Sequence, residues 1–213
     1  GQRRMTIALL RIVIDRGYRF SLSAAIDKAL GLLGAKVTDA KKTREEVLAF
    51  FRERLKNDWI EKHRVDVVES VLEAGFDDLV SAHQRLVALS AIVGQAGFDP
   101  LAVAFKRVVN IIQKQAKSVP DGSADDTLFV EDAERALYRS FLGVRSRVNA
   151  HIAADDYPGA LKEITSLKPS VDTFFDKVMV MDQDIRMRDN RVRMLREIGA
   201  MFGRVADFSQ IQA

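Results

Sequence analysis

Two clusters of basic residues carry the strongest chemical signal in the sequence. The first lies between Leu101 and Pro120, a stretch without a single acidic residue. If it is helical, apolar residues recur in it with the spacing of a buried stripe: Leu101, Phe105, Val108 and Ile112. The opposite side then presents cations and amides: Lys106, Asn110, Gln113, Lys114 and Lys117. Arg107 adds a further positive charge to the same stretch. Such a face suits phosphate oxygens and exposed base edges, although a solvated helix face shows the same pattern.

The second cluster lies near the end of the chain and is made of arginines alone: Arg186, Arg188, Arg191, Arg193, Arg196 and Arg204. Asp189 and Glu197 leave a local charge of +4. A planar guanidinium binds phosphate through two hydrogen bonds and stacks on bases. The predicted buried seam of this helix consists of Val192, Leu195, Ile198, Phe202 and Val205. Arg186, Arg193 and Arg196 lie on its outer face. Arg188 and Arg191 flank the seam, and for these two, pairing with a carboxylate of a neighbouring helix is an open alternative.

Catalytic and metal-binding motifs are missing from the sequence. It has no cysteine and three histidines, none followed by Asp and no two spaced for a metal-binding helix face. It also has no Gly-rich phosphate loop of the Walker type. Pairs of carboxylates stand at predicted helix starts, where they favour the helix dipole. We therefore expect no catalytic residue, no metal and no cofactor in these 213 residues, which argues against a metal-dependent phosphohydrolase.

Composition is that of a folded protein with a sizeable core. Of 213 residues, 47% are hydrophobic and 30% are charged, which excludes a disordered chain. The net charge is only +3 although the pI is about 9.2, so clustering must carry any argument for a polyanionic partner. No apolar run reaches the length of a membrane span, and no secretory signal is present. Gly1 stands where an initiator Met would be, and we expect a piece of a longer protein.

The chain is predicted to be all-α, with about ten helices. Caps support most of the boundaries; for example, Thr43 with Glu46 is typical of a capping box. Residues 118–126 have the composition of a loop, and residues 127–151 that of a long helix. Two short apolar runs, Phe129-Val130 and residues 178–181, fit helices better than strands. We predict a first segment, residues 1–40, that ends a preceding helical domain and connects it to a second domain, residues 41–213.

Several runs of residues resemble the end of the bacterial glycyl-tRNA synthetase β subunit. The resemblance is strongest in residues 171–182, V-D-T-F-F-D-K-V-M-V-M-D, and continues through M-R-D-N-R-V at 187–192 to V-A-D-F-S at 205–209. The run A-F-K-R-V-V-N-I at 104–111 resembles a second segment of that family. The family's triplet of a small residue, Leu and Arg is only partly kept, as Arg186-Met187-Arg188.

This resemblance implies a helical anticodon-binding domain of the DALR type that binds the anticodon arm of a glycine tRNA. It implies that the full enzyme, a glycine–tRNA ligase, is an α–β heterotetramer in the cytoplasm, and that ATP and Mg²⁺ are used through its α subunit. Phosphate contacts are expected from Lys106, Arg107, Lys114, Lys117, Arg193 and Arg196, with Asn110 and Gln113 as base readers. DNA and membrane partners are not expected. The alternative is a helical protein-interaction or scaffolding module that does not bind RNA.

Overall fold

The computed structural model describes residues 1–95, 98–115 and 118–212. In these ranges the chain forms α-helices and short 3₁₀ turns and no β-strand, which confirms the all-α prediction. It divides into two compact units, Gly1–Ser90 and Ala91–Ala213. The predicted division into residues 1–40 and 41–213 stays a prediction, because compactness does not define where a domain of a longer protein begins.

The first unit contains α1 (Gln2–Asp15), α2 (Leu22–Leu33), α3 (Ala40–Trp59), α4 (Val65–Glu73) and most of α5 (Leu79–Ile92). Helix α3 packs against α1, α2 and α4. Its apolar side chains meet those of the other helices in a core that includes Leu10, Leu55, Trp59, Val68 and Leu86, all at most 4% exposed. Arg85 on α5 is also buried and donates to the carbonyl oxygens of Val71 and Gly75, which satisfies carbonyls at the end of α4.

The second unit contains α6 (Phe98–Gln115), α7 (Asp132–Ala153), α8 (Tyr157–Thr165), α9 (Lys168–Lys177) and α10 (Ile185–Gly203). Helix α7 packs against α8, α9 and α10, while α6 packs against α9 and α10. The core centres on three rings: Phe105 lies 4.0 Å from Phe202 and 5.3 Å from Phe208, centroid to centroid. At Gly199 the two helices α6 and α10 approach so closely that a Cβ would lie 2.5 Å from Cδ1 of Ile112.

Helix faces agree with the periodicity of the sequence. The predicted seam of α10 is fully buried, with Val192, Leu195 and Ile198 at 0% exposure and Phe202 at 1%. On α6 the predicted stripe is buried at Leu101, Phe105 and Val108, and Ile112 is partly buried. An apolar residue at every third or fourth position can therefore be assigned to the core side of a helix with no knowledge of its neighbours.

Three local predictions were wrong. Helix α3 begins at Ala40 with Asp39 as its N-cap, whose Oδ1 accepts from the backbone N–H of Lys42 at 2.9 Å, so Thr43 lies inside the helix. Phe129 and Val130 precede α7, which starts five residues later than predicted. Residues 178–181 follow α9 and are not helical. In each case the periodicity cannot show where the chain must turn to meet another element.

Arg191 of α10 is a buried charge that forms three hydrogen bonds within the second unit. Its side chain is 3% exposed, and its Nε donates to Oε1 of Glu134 at 2.6 Å. Its Nη1 donates to Oδ2 of Asp182 at 2.7 Å and to the carbonyl oxygen of Met179 at 2.9 Å. The other oxygen of Glu134 accepts from the N–H groups of Val130 and Glu131 and so caps α7. The pKa of Asp182 is lowered by the N–H of Asp184 and by Arg191.

A tight turn joins α7 to α8 through a side-chain pair. Oδ2 of Asp156 lies 2.7 Å from Nδ1 of His151, and Oδ1 accepts from the N–H of Gly159 at 2.9 Å. Both bonds lower the pKa of Asp156, and the bond from the backbone N–H of Gly159 has the larger effect. A Cβ at Gly159 would lie 2.2 Å from that carboxylate and 2.4 Å from the imidazole, so only glycine fits there.

Removing the Arg191 guanidinium should strongly destabilise the second unit. We expect Arg191→Met to lower the free energy of unfolding by about 3–5 kcal/mol, because Glu134 would stay buried without its counter-charge. Arg188→Met is the matched control, since Arg188 is 25% exposed and Asp189 is its one charged partner among the described residues; its loss should cost less than about 1 kcal/mol. Urea denaturation followed by circular dichroism measures both, and equal midpoints would contradict the structural role given to Arg191.

Adding a methyl group at two helical glycines should have opposite effects. Gly159→Ala should destabilise the chain by about 1–3 kcal/mol, because the Cβ displaces Asp156 and His151. Gly143→Ala, on the exposed side of α7 where the Cβ meets only Nη1 of Arg147 at 3.5 Å, should stabilise it by about 0.5–1 kcal/mol. Thermal unfolding of the two variants is the measurement. A Gly159→Ala variant as stable as the parent would show that the turn is looser than described.

Candidate nucleic-acid interface

The outward face of α6 is a row of exposed polar side chains. Lys106, Asn110, Gln113 and Lys114 are all exposed, and their side chains form no hydrogen bond or ion pair with the described residues. A shallow groove of about 440 Å³ runs along this face, with Val103 and Ile111 contributing its apolar part. Since these cations and amides have no partner in the described parts of the protein, they are available to a ligand.

A second groove continues from this face toward the segment that follows α9. It has a volume of about 520 Å³ and is bounded by Arg107 and Ile111 on one side and by residues 175–181 on the other. Arg107 lies over the ring of Phe175, with its Cζ 4.1 Å from the ring centroid, in cation–π geometry. The two grooves together, with all the residues that line either of them, are called the basic groove below.

Charge in the basic groove is strongly one-sided. Its lining contains four cations, Lys106, Arg107, Lys114 and Lys177, against one carboxylate, Asp176. The rest of the lining is mostly apolar, including Met179 and Met181. A groove of like charges with low-dielectric walls concentrates its field on an incoming anion, and apolar side chains between the cations give a surface for flat, uncharged groups.

The outer arginines of α10 donate hydrogen bonds to the end of α6 and to the loop that follows it. Nη1 of Arg196 donates to the carbonyl oxygen of Val119 at 2.9 Å, and Nη2 donates to that of Gln115 at 3.3 Å. Nε of Arg193 donates to the carbonyl oxygen of Pro120 at 3.3 Å. Both arginines were predicted phosphate contacts, but in this structure their donors serve the end of α6 and the loop that follows it.

Two further residues of α10 anchor the same loop and were missed by the sequence analysis. The amide of Asn190 makes a two-way bridge to Asp125, accepting from its N–H at 2.7 Å and donating to its carbonyl oxygen at 2.9 Å. Oε1 of Glu197 accepts from the N–H of Ala124 at 2.8 Å. Asn190 is an amide in a helix whose other polar side chains are all charged, and this was the available signal. The loop of residues 118–126 thus lies along α10.

The remaining predicted residues differ in their exposure and in their partners. Arg191 is buried and triply bonded, which removes it from any surface that RNA could touch in this structure; its seam-flanking position already left that alternative open. Arg188 is 25% exposed and pairs with Asp189. Arg186 is 79% exposed on the first turn of α10, beside Asp184 at 3.3 Å. Lys117 lies outside the described residues.

The histidines do not form a site with these residues. His63 and His83 line a separate pocket of about 270 Å³ in the first unit, together with Arg11 and Asp58, which pair with each other through Arg11 Nε at 2.9 Å. Burial lowers the pKa of both imidazoles. Among the described residues, no group of three or more His, Asp or Glu side chains could hold a metal ion, and no helix is long and apolar enough to cross a membrane.

Comparison with known proteins gives closely related sequences. The chain is 58% identical to the glycine–tRNA ligase beta subunit of Myxococcus xanthus, with 99% of the chain and 31% of that protein aligned. It is 45% identical to the beta subunit of Geobacter metallireducens and 43% identical to that of Anaeromyxobacter dehalogenans, over at least 99% of the chain and 30% of each relative. The chain therefore spans about 30% of the length of these relatives, and the resemblance read from its motifs is confirmed.

A domain match covers the second unit. The DALR anticodon binding domain matches residues 101–207, half of the chain. All residues of the basic groove lie within this range, as do the arginines of α10 and the loop that they anchor. The small-residue motif is altered at Arg186, yet the match extends across it. By this match the chain belongs to the DALR anticodon binding domain family.

Proposed function

We propose that this chain is the part of a glycine–tRNA ligase beta subunit that binds the anticodon arm of a glycine tRNA. The observation that carries the proposal is the coincidence of the DALR match with a groove in which Lys106 and Lys114 have no side-chain partner among the described residues. Buried or paired arginines are common in helical proteins, whereas unpaired cations lined up along an apolar groove are what a phosphate backbone requires.

In this proposal the residues of the basic groove divide the work. Lys106, Arg107 and Lys114 neutralise phosphates and set the register of the RNA, as Lys and Arg contacts do in general. Asn110 and Gln113 carry amide groups that can both donate and accept, so they read the edges of bases splayed out of the loop. Arg186 adds a further phosphate contact at the start of α10.

Arg193 and Arg196 act differently from the first expectation. Because their donors hold the loop after α6, their contribution to binding is to fix that loop against α10, and any phosphate contact uses the donors that remain. Arg188, whose side chain is 25% exposed, contributes only through the part that reaches solvent. Sequence selection in the anticodon therefore depends mainly on α6 and the groove beside it.

For the whole enzyme the proposal follows what the family resemblance implies. The ligase joins glycine to its tRNA at the expense of ATP, with Mg²⁺, through an α subunit that pairs with the beta subunit in a cytoplasmic heterotetramer. This chain supplies tRNA binding to that reaction and leaves the chemistry to the α subunit. A helical scaffold without RNA affinity is the competing outcome of the experiments below.

Loss of two groove lysines should reduce both affinity and its salt dependence. With Lys106→Ala and Lys114→Ala combined, the slope of log K against log salt concentration should fall by about 1.4 to 1.8, since each phosphate contact contributes about 0.7 to 0.9. Filter binding of a glycine tRNA at several salt concentrations measures this. Lys28→Ala with Lys41→Ala is the matched control, because both are exposed lysines outside the groove. An equal change of slope in the control pair would mean that net charge alone acts.

Changing the anticodon should weaken binding of an otherwise identical tRNA. We expect a roughly tenfold or larger loss per altered base that is read through its edge, in line with about 1–3 kcal/mol for a good paired contact. Salt-dependent binding that ignores the anticodon would leave a general RNA-holding role. If neither tRNA binds at low salt, the scaffolding alternative is favoured over the proposal.

A further inference from the structure

Residues 178–181, V-M-V-M, alternate between the interior and the surface. Val178 and Val180 are 6% and 7% exposed, whereas Met179 and Met181 are 74% and 46% exposed. The backbone at Val178 is extended, with φ −117° and ψ 123°, and successive side chains of an extended segment point to opposite sides. Two thioethers are thereby presented on the same side of the segment, at the wall of the basic groove.

Hydrogen bonds hold this segment in place on both sides. The N–H of Val178 donates to the carbonyl oxygen of Phe174 at 2.8 Å, and the carbonyl oxygen of Met179 accepts from the buried Arg191 at 2.9 Å. Arg191 also pairs with Asp182, the residue that follows the segment. Because the valines are packed and the backbone is bonded, the two methionines cannot turn inward without breaking this arrangement.

The surroundings of the methionines are mostly apolar and carry more positive than negative charge. Arg107 covers the ring of Phe175 across the groove, and Ile111 lies beside it. Lys106 and Lys114 continue the charge along α6. A ligand that fills the groove must offer an apolar face and negative charge within a few ångströms of each other.

The geometry points to a stacking platform for an unpaired RNA base, formed by Met179, Met181 and the Arg107–Phe175 pair. This inference rests on the proposed function and specifies which part of the RNA enters the groove. A splayed nucleotide has an apolar base face joined to a phosphate, which matches the apolar wall and the cations. A paired stem conceals its base faces, so the stem can use the cations but not the platform.

The platform supplies affinity without choosing the base. Stacking tolerates any base because every base has a π-face, and the flexible thioether of methionine adapts to surfaces of different shape. Choice of base then falls to hydrogen-bonding groups such as the amide of Asn110, which lines the adjoining groove along α6.

The test compares two RNA probes on the 213-residue chain: the anticodon stem–loop of a glycine tRNA, and a fully paired RNA with the same number of phosphates. Met179→Ser with Met181→Ser should weaken the stem–loop roughly tenfold or more, the usual size of one lost stacking contact. Binding of the paired RNA and the salt slope should not change, since no charge is removed. Met179→Leu with Met181→Leu should restore most of the affinity.

Controls separate this inference from the proposed function. Met5→Ser removes a methionine that is 73% exposed but lines no part of the groove, and should change neither probe. An unchanged stem–loop affinity in the serine variant, alongside a loss for Lys106→Ala with Lys114→Ala, overturns the platform and leaves the proposed function standing. Equal losses for both probes also overturn it. Failure of the unaltered chain to bind the stem–loop overturns the proposed function and the platform together.

Discussion

The buried guanidinium of Arg191 is the interaction on which the second unit depends. A charge taken out of water is tolerated only when counter-charges and hydrogen bonds replace the lost solvation. Here Glu134 comes from the start of α7, Asp182 and the Met179 carbonyl come from the segment after α9, and the guanidinium comes from α10. The start of α7 is therefore held at one point with the segment after α9 and with α10, although Glu134 lies 57 residues before Arg191.

The basic groove follows from that arrangement. Arg191 binds the backbone at Met179 and the carboxylate at Asp182 and so fixes the segment between α9 and α10, which leaves the helix with an extended backbone at Val178. Its valines fill the core and its methionines form the wall opposite α6. A pairing that is structural in itself thus determines which apolar side chains stand beside the cations.

The cations of the second unit differ in the groups to which they donate hydrogen bonds. Arg193 and Arg196 give their donors to loop carbonyls, and Arg191 gives its donors to carboxylates and one carbonyl. Lys106 and Lys114 have no side-chain partner among the described residues. A lysine row of this kind keeps its charges in water at little cost and can exchange that water for phosphate, which is why α6 rather than α10 carries the proposed contacts.

What the sequence determined by itself was the helical fold, the inner faces of its helices and the cationic side of α6. Each depends on short-range periodicity, because a helix brings every third or fourth residue to the same side whatever surrounds it. The buried seam of α10 and the exposure of Lys106, Asn110 and Lys114 agree with that reasoning. The specific run at 171–182 was enough to indicate the family.

Tertiary structure alone decided what each arginine does and where α9 ends. Five arginines on one helix look alike in sequence, but Glu134, 57 residues earlier in the chain, makes one of them a core residue. The V-M-V-M run was predicted to fit a helix better than a strand, but it follows the end of α9, and its Met179 carbonyl oxygen is bonded to Arg191. Desolvation and long-range hydrogen bonding act between residues that periodicity cannot relate, so these assignments required the folded chain.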